Sequence, residues 1–232
     1  MHIEKDFAIT FNKEKIIRYQ GKSAERMLAH PRMANDFHEI LKEIPKLVHP
    51  VAIWDSFSVK GIKHDKLILE NDLAVGGGPV VQVMAGATEF IICLCTVGDE
   101  IDHAISAYQK EGQKQMVKAI FLDSLASYAV GQVREQLINR IRKTYDDRDV
   151  HTTIALSPGE SQWSISDQKL LFQLLDAKSI GMTVNDSMLM IPMKSLSFTI
   201  GAGPNELGME SGSRCQFCMA KEKCDQSELK IK

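Results

Sequence analysis

The segment 113–145 constrains the fold of this chain more than any other feature. Apolar side chains such as Val117, Phe121 and Leu125 recur there every three or four residues, which is the spacing of one face of an α-helix. The segment 88–97, just before it, is an apolar run about as long as a strand. A long, largely buried helix beside a buried strand predicts a sheet with helices packed against it.

Two strand patterns, at 51–59 and 66–70, lie too close together for a parallel crossover, which needs a dozen or more residues. We therefore expect this pair to be antiparallel. No repeat, low-complexity tract or long linker divides the chain, so the sequence predicts one α+β domain spanning 1–232, with a cysteine-containing tail at about 213–232. Further strands are predicted at 3–11, 152–156, 185–191 and 194–200, and further helices at 13–19, 23–48, 99–108 and 165–175.

Charge and hydropathy exclude several classes of partner. Lys and Arg number 28 against 30 Asp and Glu, so no whole-molecule field would recruit nucleic acid or anionic lipid. The apolar run 90–97 is far shorter than the roughly 18 residues that cross a bilayer. The N-terminus lacks a basic segment followed by an apolar one, and five cysteines do not suggest an extracellular disulfide framework. We expect a cytoplasmic protein that uses neither nucleic acid nor membrane.

Three cysteines near the C-terminus, Cys215, Cys218 and Cys224, have the spacing C-x2-C-x5-C. Thiolates so spaced suit zinc or an iron–sulfur cluster, but either normally takes four ligands. The fourth would come from Cys93, Cys95, a histidine, a partner or an exchangeable molecule. The alternative is a reduced, metal-free tail or an occasional disulfide, and the sequence leaves both open. Cys93 and Cys95 share one face of an apolar strand, which predicts that they pack in the core.

A series of motifs in the second half of the chain carries a resemblance. It begins at Ser157-Pro158-Gly159, which by itself is typical of a tight turn after a strand. It continues through Trp163 and the helix at 165–175 to Asn185-Asp186-Ser187, and ends at 190–197. In order and spacing, these residues resemble the activation (reactivation) domain of cobalamin-dependent methionine synthase, especially its small stand-alone relatives. The resemblance covers the C-terminal part of the chain well and the rest loosely.

This resemblance implies an α+β domain on a twisted antiparallel sheet, with S-adenosylmethionine bound in a shallow groove. It also implies a repair role, in which a reductant and a methyl donor return oxidised cob(II)alamin to methylcobalamin. The family has an arginine three residues before its Pro-Gly pair and a tyrosine directly after it, where this chain has Ala155 and Glu160. The cofactor-binding residues implied here are Ser157, Pro158, Gly159, Glu160, Asn185, Asp186 and Ser187.

The chain lacks the D-x-H-x-x-G motif with which methionine synthase holds cobalamin. The resemblance therefore implies a partner, either a corrinoid-binding protein or a methionine synthase without its own activation domain, together with an electron donor. We favour a reactivation partner that binds S-adenosylmethionine. Two alternatives stay open, a non-catalytic adaptor for a corrinoid protein and a metal or iron–sulfur electron carrier that uses Cys215, Cys218 and Cys224.

Overall fold

An antiparallel sheet organises the chain in a computed structural model that describes residues 1–20, 22–113, 115–160, 162–219 and 221–224. Seven strands form this sheet in the order β4-β3-β2-β5-β9-β6, with β1 beside the first half of β2, while β7 and β8 form a separate hairpin. The strands are β1 (His2–Glu4), β2 (Val51–Lys63), β3 (Lys66–Leu69), β4 (Ala74–Val75), β5 (Glu89–Thr96), β6 (His151–Thr152), β7 (Thr183–Val184), β8 (Met190–Ile191) and β9 (Ser195–Gly203).

The central strand β5 pairs along its whole length with β2 on one side and β9 on the other. Its side chains alternate between two apolar cores, with Ile92 and Leu94 in one and Cys93 and Cys95 in the other. Both thiols are fully buried, which confirms the prediction that they pack in the core. Burial raises the pKa of Cys95 to about 12, so this thiol stays protonated.

Helices cover both faces of the sheet. The longest, α6, has 31 residues and is about 46 Å long at 1.5 Å per residue. Its stripe of Phe121, Leu125, Val133 and Leu137 packs in the same core as Cys93. The helices are α1 (Lys13–Gln20), α2 (Lys22–Leu28), α3 (Pro31–Glu43), α4 (Val80–Val83), α5 (Glu100–Lys110), α6 (Met116–Asp146) and α7 (Asp167–Leu174). The predicted α+β class, an antiparallel sheet packed by helices, is confirmed.

Three predicted strands are shorter than the sequence suggested. The segment 3–11 leaves the sheet after Glu4, and 152–156 contributes only β6 and an isolated bridge between Leu156 and Thr199. The hydroxyl of Thr153 explains the second case, because it accepts a hydrogen bond from Gly201 N at 2.9 Å and donates one to Ile154 O at 2.9 Å. The side chain of Thr153 therefore replaces a backbone acceptor for Gly201 N, while Thr153 N still donates to Gly201 O at 2.9 Å, and residue propensity does not reveal this change.

The segment 185–191 is mainly a turn rather than a strand. The Asn185 side-chain oxygen accepts hydrogen bonds from Ser187 N at 2.9 Å and Leu189 N at 3.0 Å, which closes the loop between β7 and β8. Of the predicted tail at about 213–232, residues 220 and 225–232 lie outside the described residues. The single domain at 1–232 stays a prediction. Across the described ranges, no helix is both long and apolar enough to cross a membrane.

Candidate functional site

A groove of about 720 Å³ runs along the middle of α6 and separates it from the loop 157–160 and the start of β9. We call it the helix groove. Its volume falls within the range of roughly 300–1,000 Å³ that is usual for small-molecule sites. Its lining includes Ser127, Tyr128, Gly131, Arg134 and Glu135 from α6, Ser157 and Glu160 from the loop, Met193, Lys194 and Leu196 beside β9, and Arg214 from the tail.

The loop after Leu156 is held by its own backbone. Gly159 N donates to Trp163 O at 2.9 Å, and Trp163 N donates back to Glu160 O at 2.8 Å. Gly159 has φ +88°, a backbone conformation that favours glycine, whereas a Cβ there would lie 2.9 Å from the Ile165 Cδ1 atom and that side chain would only have to shift. The predicted tight turn therefore exists, and it presents Ser157 and Glu160 to the helix groove.

A buried carboxylate anchors the far end of this loop. Asp167 Oδ2 accepts hydrogen bonds from Trp163 Nε1 at 2.8 Å and from Gly76 N at 2.9 Å. The indole of Trp163 is itself 2% exposed in the core beneath. The loop is thus tied to α7 and to the glycine-rich segment before α4, and its position on the sheet is fixed.

Arg134 is the most unusual side chain of the helix groove. It is 8% exposed, and its guanidinium lies 5.2 Å from the centre of the Phe198 ring. Nη1 donates to Glu135 at 2.7 Å, whereas the buried Nε has no hydrogen-bond partner among the described residues. Burial, and next the positive charge of Arg214, lower the pKa of Arg134, although an arginine stays charged at physiological pH.

Glu160 and Arg214 complete a charged cluster with Arg134. Arg214 Nη1 lies 3.3 Å from Glu160 Oε1, and each side chain is about one-third exposed. The other carboxylate oxygen of Glu160, Oε2, is buried and has no partner in the part of the chain that the structure describes. The cluster therefore holds an unsatisfied donor and an unsatisfied acceptor, which is costly unless a ligand pairs with them.

Neither Arg134 nor Arg214 is among the site residues predicted from the sequence. One signal was available for Arg134, because it interrupts the apolar stripe of α6 next to Val133 and one turn before Leu137. A charged residue in such a stripe is seldom buried without a partner. No comparable local signal marks Arg214, since its partner Glu160 lies far away in the sequence.

A second groove, of about 420 Å³, adjoins the helix groove and shares Ser157, Glu160, Met193 and Leu196 with it. We call it the hairpin groove, because residues of the β7–β8 hairpin form one wall and Ser157, Pro158, Gly159 and Glu160 line another. Its rim is apolar and exposed, with Leu189 at 62% and Met193 at 69%. The loop 157–160 thus faces two grooves, one charged and one largely apolar.

Asn185, Asp186 and Ser187 stand at the tip of the hairpin and are not among the residues that line either groove. Asn185 closes the turn, as described above. Asp186 is fully exposed, and its carboxylate accepts a hydrogen bond from Lys169 Nζ at 2.9 Å. That bond and the lysine charge lower the pKa of Asp186. Ligand binding by these three residues stays a prediction.

The cysteine tail begins beside the helix groove. Ser213 Oγ accepts a hydrogen bond from Cys215 N at 3.1 Å, and a short 3-10 helix, Arg214–Phe217, follows. Cys215, Cys218 and Cys224 are free and partly buried. Within the described ranges, no group of three or more His, Cys, Asp or Glu side chains could hold a metal ion. The predicted metal site at these cysteines is therefore not supported.

Comparisons with known proteins identify the fold. No family model matches the sequence, and no curated protein matches it. Among solved structures, the chain is similar to the MetH reactivation domain bound to AdoHcy, with a TM-score of 0.62 and 16% identity. The match covers 89% of this chain and 80% of that one. The expectation from the resemblance is thus confirmed for the architecture: the chain has the fold of the MetH reactivation domain.

Proposed function

We propose that this chain binds S-adenosylmethionine in the helix groove and supports reductive methylation of a corrinoid carried by a separate protein. The observation that carries this proposal is the cluster of Arg134, Glu160 and Arg214, which line a groove of small-molecule size and leave a buried donor and a buried acceptor without a partner among the described residues. The solved protein of the same fold was bound to AdoHcy, the product of methyl transfer from this donor.

The charges of the cluster match the two charges of the amino-acid end of S-adenosylmethionine. The Arg134 guanidinium offers donors to a carboxylate, and Glu160 offers an acceptor to an ammonium or a sulfonium. Ala155, which replaces the family's arginine, lines a small cleft together with Arg134 and Arg214. These arginines supply from α6 and the tail what the loop lacks. Charge-assisted hydrogen bonds of this kind contribute about 1.5–3 kcal/mol each.

The rest of the helix groove suits a nucleoside. Tyr128 and Leu196 provide aromatic and apolar surface against which an adenine ring can pack. Gln132 and Ser127 lie on the same stretch of α6, but their side chains already pair, Gln132 with Thr10 and Ser127 with Lys194 Nζ and Asp123 O. Ribose hydroxyls would have to exchange with these hydrogen bonds. The groove thus combines apolar surface with a small number of polar groups, as nucleoside sites generally do.

The protein's part in the reaction is to position two reactants. S-adenosylmethionine supplies an electrophilic methyl group, and an external reductant supplies the electron that the oxidised corrinoid needs. The loop 157–160 lines both grooves, so a donor in the helix groove and a corrinoid against the apolar hairpin groove would meet across it. Because the loop is hydrogen-bonded internally, it holds that approach without reorganising.

The partner in this proposal is a corrinoid-binding protein, or a methionine synthase that lacks its own activation domain, in the cytoplasm. The exposed side chains of Leu189, Ile191 and Met193 form the apolar rim it would contact. Flexible methionine side chains suit contact with a large ring, since they adapt to its shape. An electron donor is the remaining component.

Calorimetric titration of the chain with S-adenosylmethionine tests the first step. We expect saturable binding that Glu160→Gln weakens about tenfold, because the variant loses a charge-assisted contact of about 1.5 kcal/mol. Glu70→Gln is the matched control, since Glu70 is exposed and follows β3 near the opposite edge of the sheet. Absence of binding, or equal weakening by both variants, would refute the assignment of the donor to the helix groove.

A second titration separates this proposal from the adaptor hypothesis, which Ala155 favours because an alanine cannot bind a carboxylate. Here the chain is mixed with a purified corrinoid protein, and association is measured with and without S-adenosylmethionine. A reactivation partner should convert the cob(II)alamin absorption spectrum to that of the methylated cofactor when donor and reductant are both present. An adaptor would associate and leave the spectrum unchanged.

A further inference from the structure

A small cleft adjoins the helix groove and differs from it in chemistry. It has a volume of about 130 Å³ and lies between the C-terminal half of α6, the segment around Ala155 and the tail. Three arginines line it, Arg134, Arg142 and Arg214, and they face one glutamate, Glu135. We call it the arginine cleft. At ~30 Å³ per water molecule it holds about four waters, which is too little for a nucleotide and enough for one oxyanion.

The cations of this cleft are incompletely paired. Arg134 is 8% exposed, its buried Nε has no hydrogen-bond partner among the described residues, and its Nη1 is taken by Glu135. Arg142 Nη2 lies 3.5 Å from Thr153 O, beyond the usual 2.7–3.2 Å of an N–H···O bond. Arg214 is paired with Glu160 on the groove side. Glu135 and Glu160 offset two of these three positive charges, and a compact anion in the cleft would offset the third.

We propose that the arginine cleft is an oxyanion-binding site, formed by Arg134, Arg142 and Arg214. Planar guanidinium groups bind carboxylate and phosphate oxygens in pairs, so three of them around a small cleft suit one compact anion. Two sources of this chemistry fit: free inorganic phosphate, or the carboxylate of a ligand lying in the helix groove. The carboxylate source rests on the proposed function, whereas the phosphate source does not.

The geometry couples this cleft to the helix groove. Arg134 and Arg214 line both, whereas Arg142 lines the cleft and is not among the residues lining the groove. An anion in the cleft would pair with the same guanidinium groups that face a ligand in the helix groove. Occupancy of the cleft therefore changes affinity in the groove, unless the groove ligand itself supplies the anion.

Arg142→Gln isolates the cleft, because it removes a cation that does not line the groove. Arg148→Gln is the matched control, since Arg148 follows α6, is more than half exposed and lies 3.8 Å from Glu89. The full chain is titrated with inorganic phosphate at fixed ionic strength in a buffer without oxyanions. Binding is followed by calorimetry and by the rise in melting temperature. Arg142→Lys serves as a second variant in case Arg142→Gln fails to fold. It keeps the positive charge and loses the planar guanidinium that can donate two parallel hydrogen bonds.

A phosphate source predicts saturable binding that Arg142→Gln weakens at least tenfold, Arg142→Lys weakens less and Arg148→Gln leaves unchanged. A carboxylate source predicts instead that Arg142→Gln weakens S-adenosylmethionine but not its decarboxylated analogue, and that phosphate competes with the former only. Either pattern supports the site. The proposal is overturned if Arg142→Gln changes neither phosphate binding nor S-adenosylmethionine binding. It is also overturned if the control Arg148→Gln weakens binding of these two ligands as much as Arg142→Gln does. Because the phosphate measurement needs no S-adenosylmethionine, failure of the proposed function would be recognised separately.

Discussion

Gly131 offers a test that separates folding from binding. It lies within α6, on the floor of the helix groove. Apart from its chain neighbours and the backbone of the helix itself, no heavy atom of the described residues lies within 4 Å of the position a Cβ would take. A glycine in a helix interior is about 0.8–1.0 kcal/mol less favourable than alanine. Gly131→Ala should therefore raise the free energy of unfolding by about that amount, and the melting temperature by roughly 2–4 °C for a chain of this size.

Gly131→Leu should retain most of this stabilisation, because leucine is nearly as good a helix former as alanine. Its side chain leans toward the preceding turn, over Ser127 and Tyr128, and so occupies the part of the groove that we assign to the adenine. Forcing a ligand against a misplaced side chain costs about 1–3 kcal/mol, which is roughly a fivefold to 150-fold loss of affinity.

Thermal unfolding and calorimetric titration with S-adenosylmethionine, on the wild type and both variants, check this reasoning. We expect both variants to be more stable than the wild type, Gly131→Ala to bind within about threefold of it, and Gly131→Leu to lose at least about tenfold. A stable leucine variant with unchanged affinity would show that the donor does not lie in the helix groove. A leucine variant less stable than the wild type would show that there is no space for a side chain at position 131.

Three further predictions concern residues outside that floor. Asp186→Ala tests the ligand role that the resemblance implies, and a loss of about tenfold in affinity for S-adenosylmethionine is expected if the hairpin closes on the ligand. Because the carboxylate is fully exposed and paired with Lys169, a change of less than twofold in the titration would place Asp186 outside the site. If the tail holds a metal, the purified chain should contain one zinc or one cluster per chain, and Cys218→Ser should remove it. Elemental analysis that finds no metal in the purified chain would reject the site. The free energy of unfolding should fall as pH rises from about 8.5, since burial raises the pKa of Cys95 to about 12 while the unfolded thiol ionises near 8.5. In denaturant unfolding across that range, Cys95 contributes up to about 1.4 kcal/mol per pH unit to the slope. The buried Cys93 thiol, whose pKa burial also raises, adds to it, so Cys95→Ala should make the slope shallower without abolishing it.

The parts of the fold that were predictable from sequence are those with long-range patterns. Helix α6 and strand β5 were predicted within a few residues, because a stripe of four or more turns and an unbroken apolar run leave little choice of structure. The shortened β6 was not predictable, since it depends on one Thr153 hydroxyl meeting a backbone N–H from β9. Such replacements are decided by tertiary geometry rather than by the local sequence.

The candidate site was predictable only in part, for a related reason. The turn at Ser157-Pro158-Gly159 has its own local signature, and it lies where the two grooves meet. The charged cluster has no such signature, because Arg134 and Arg214 reach Glu160 from a distant helix and from the tail. A search for isolated charges within apolar stripes would have found Arg134, whereas Arg214 required the fold.

The placement of Arg134 argues that this face of α6 was not shaped by stability alone. A guanidinium at this position is desolvated, lies near a second positive charge, and leaves one buried N–H without a partner in the described part of the chain. An apolar side chain of similar volume there would extend the stripe that Val133 and Leu137 already form, and replacements of this kind are often neutral or stabilising. One turn earlier on the same face, Gly131 forgoes helix stability to leave the groove open. The buried Arg134 and the glycine at position 131 both lower the free energy of unfolding. A bound ligand would offset these costs, because an anionic group would pair with the guanidinium in the groove that Gly131 leaves open. Helix α6 thus both packs in the core and lines the groove, and its residues that lower folding stability are the ones that a ligand would contact.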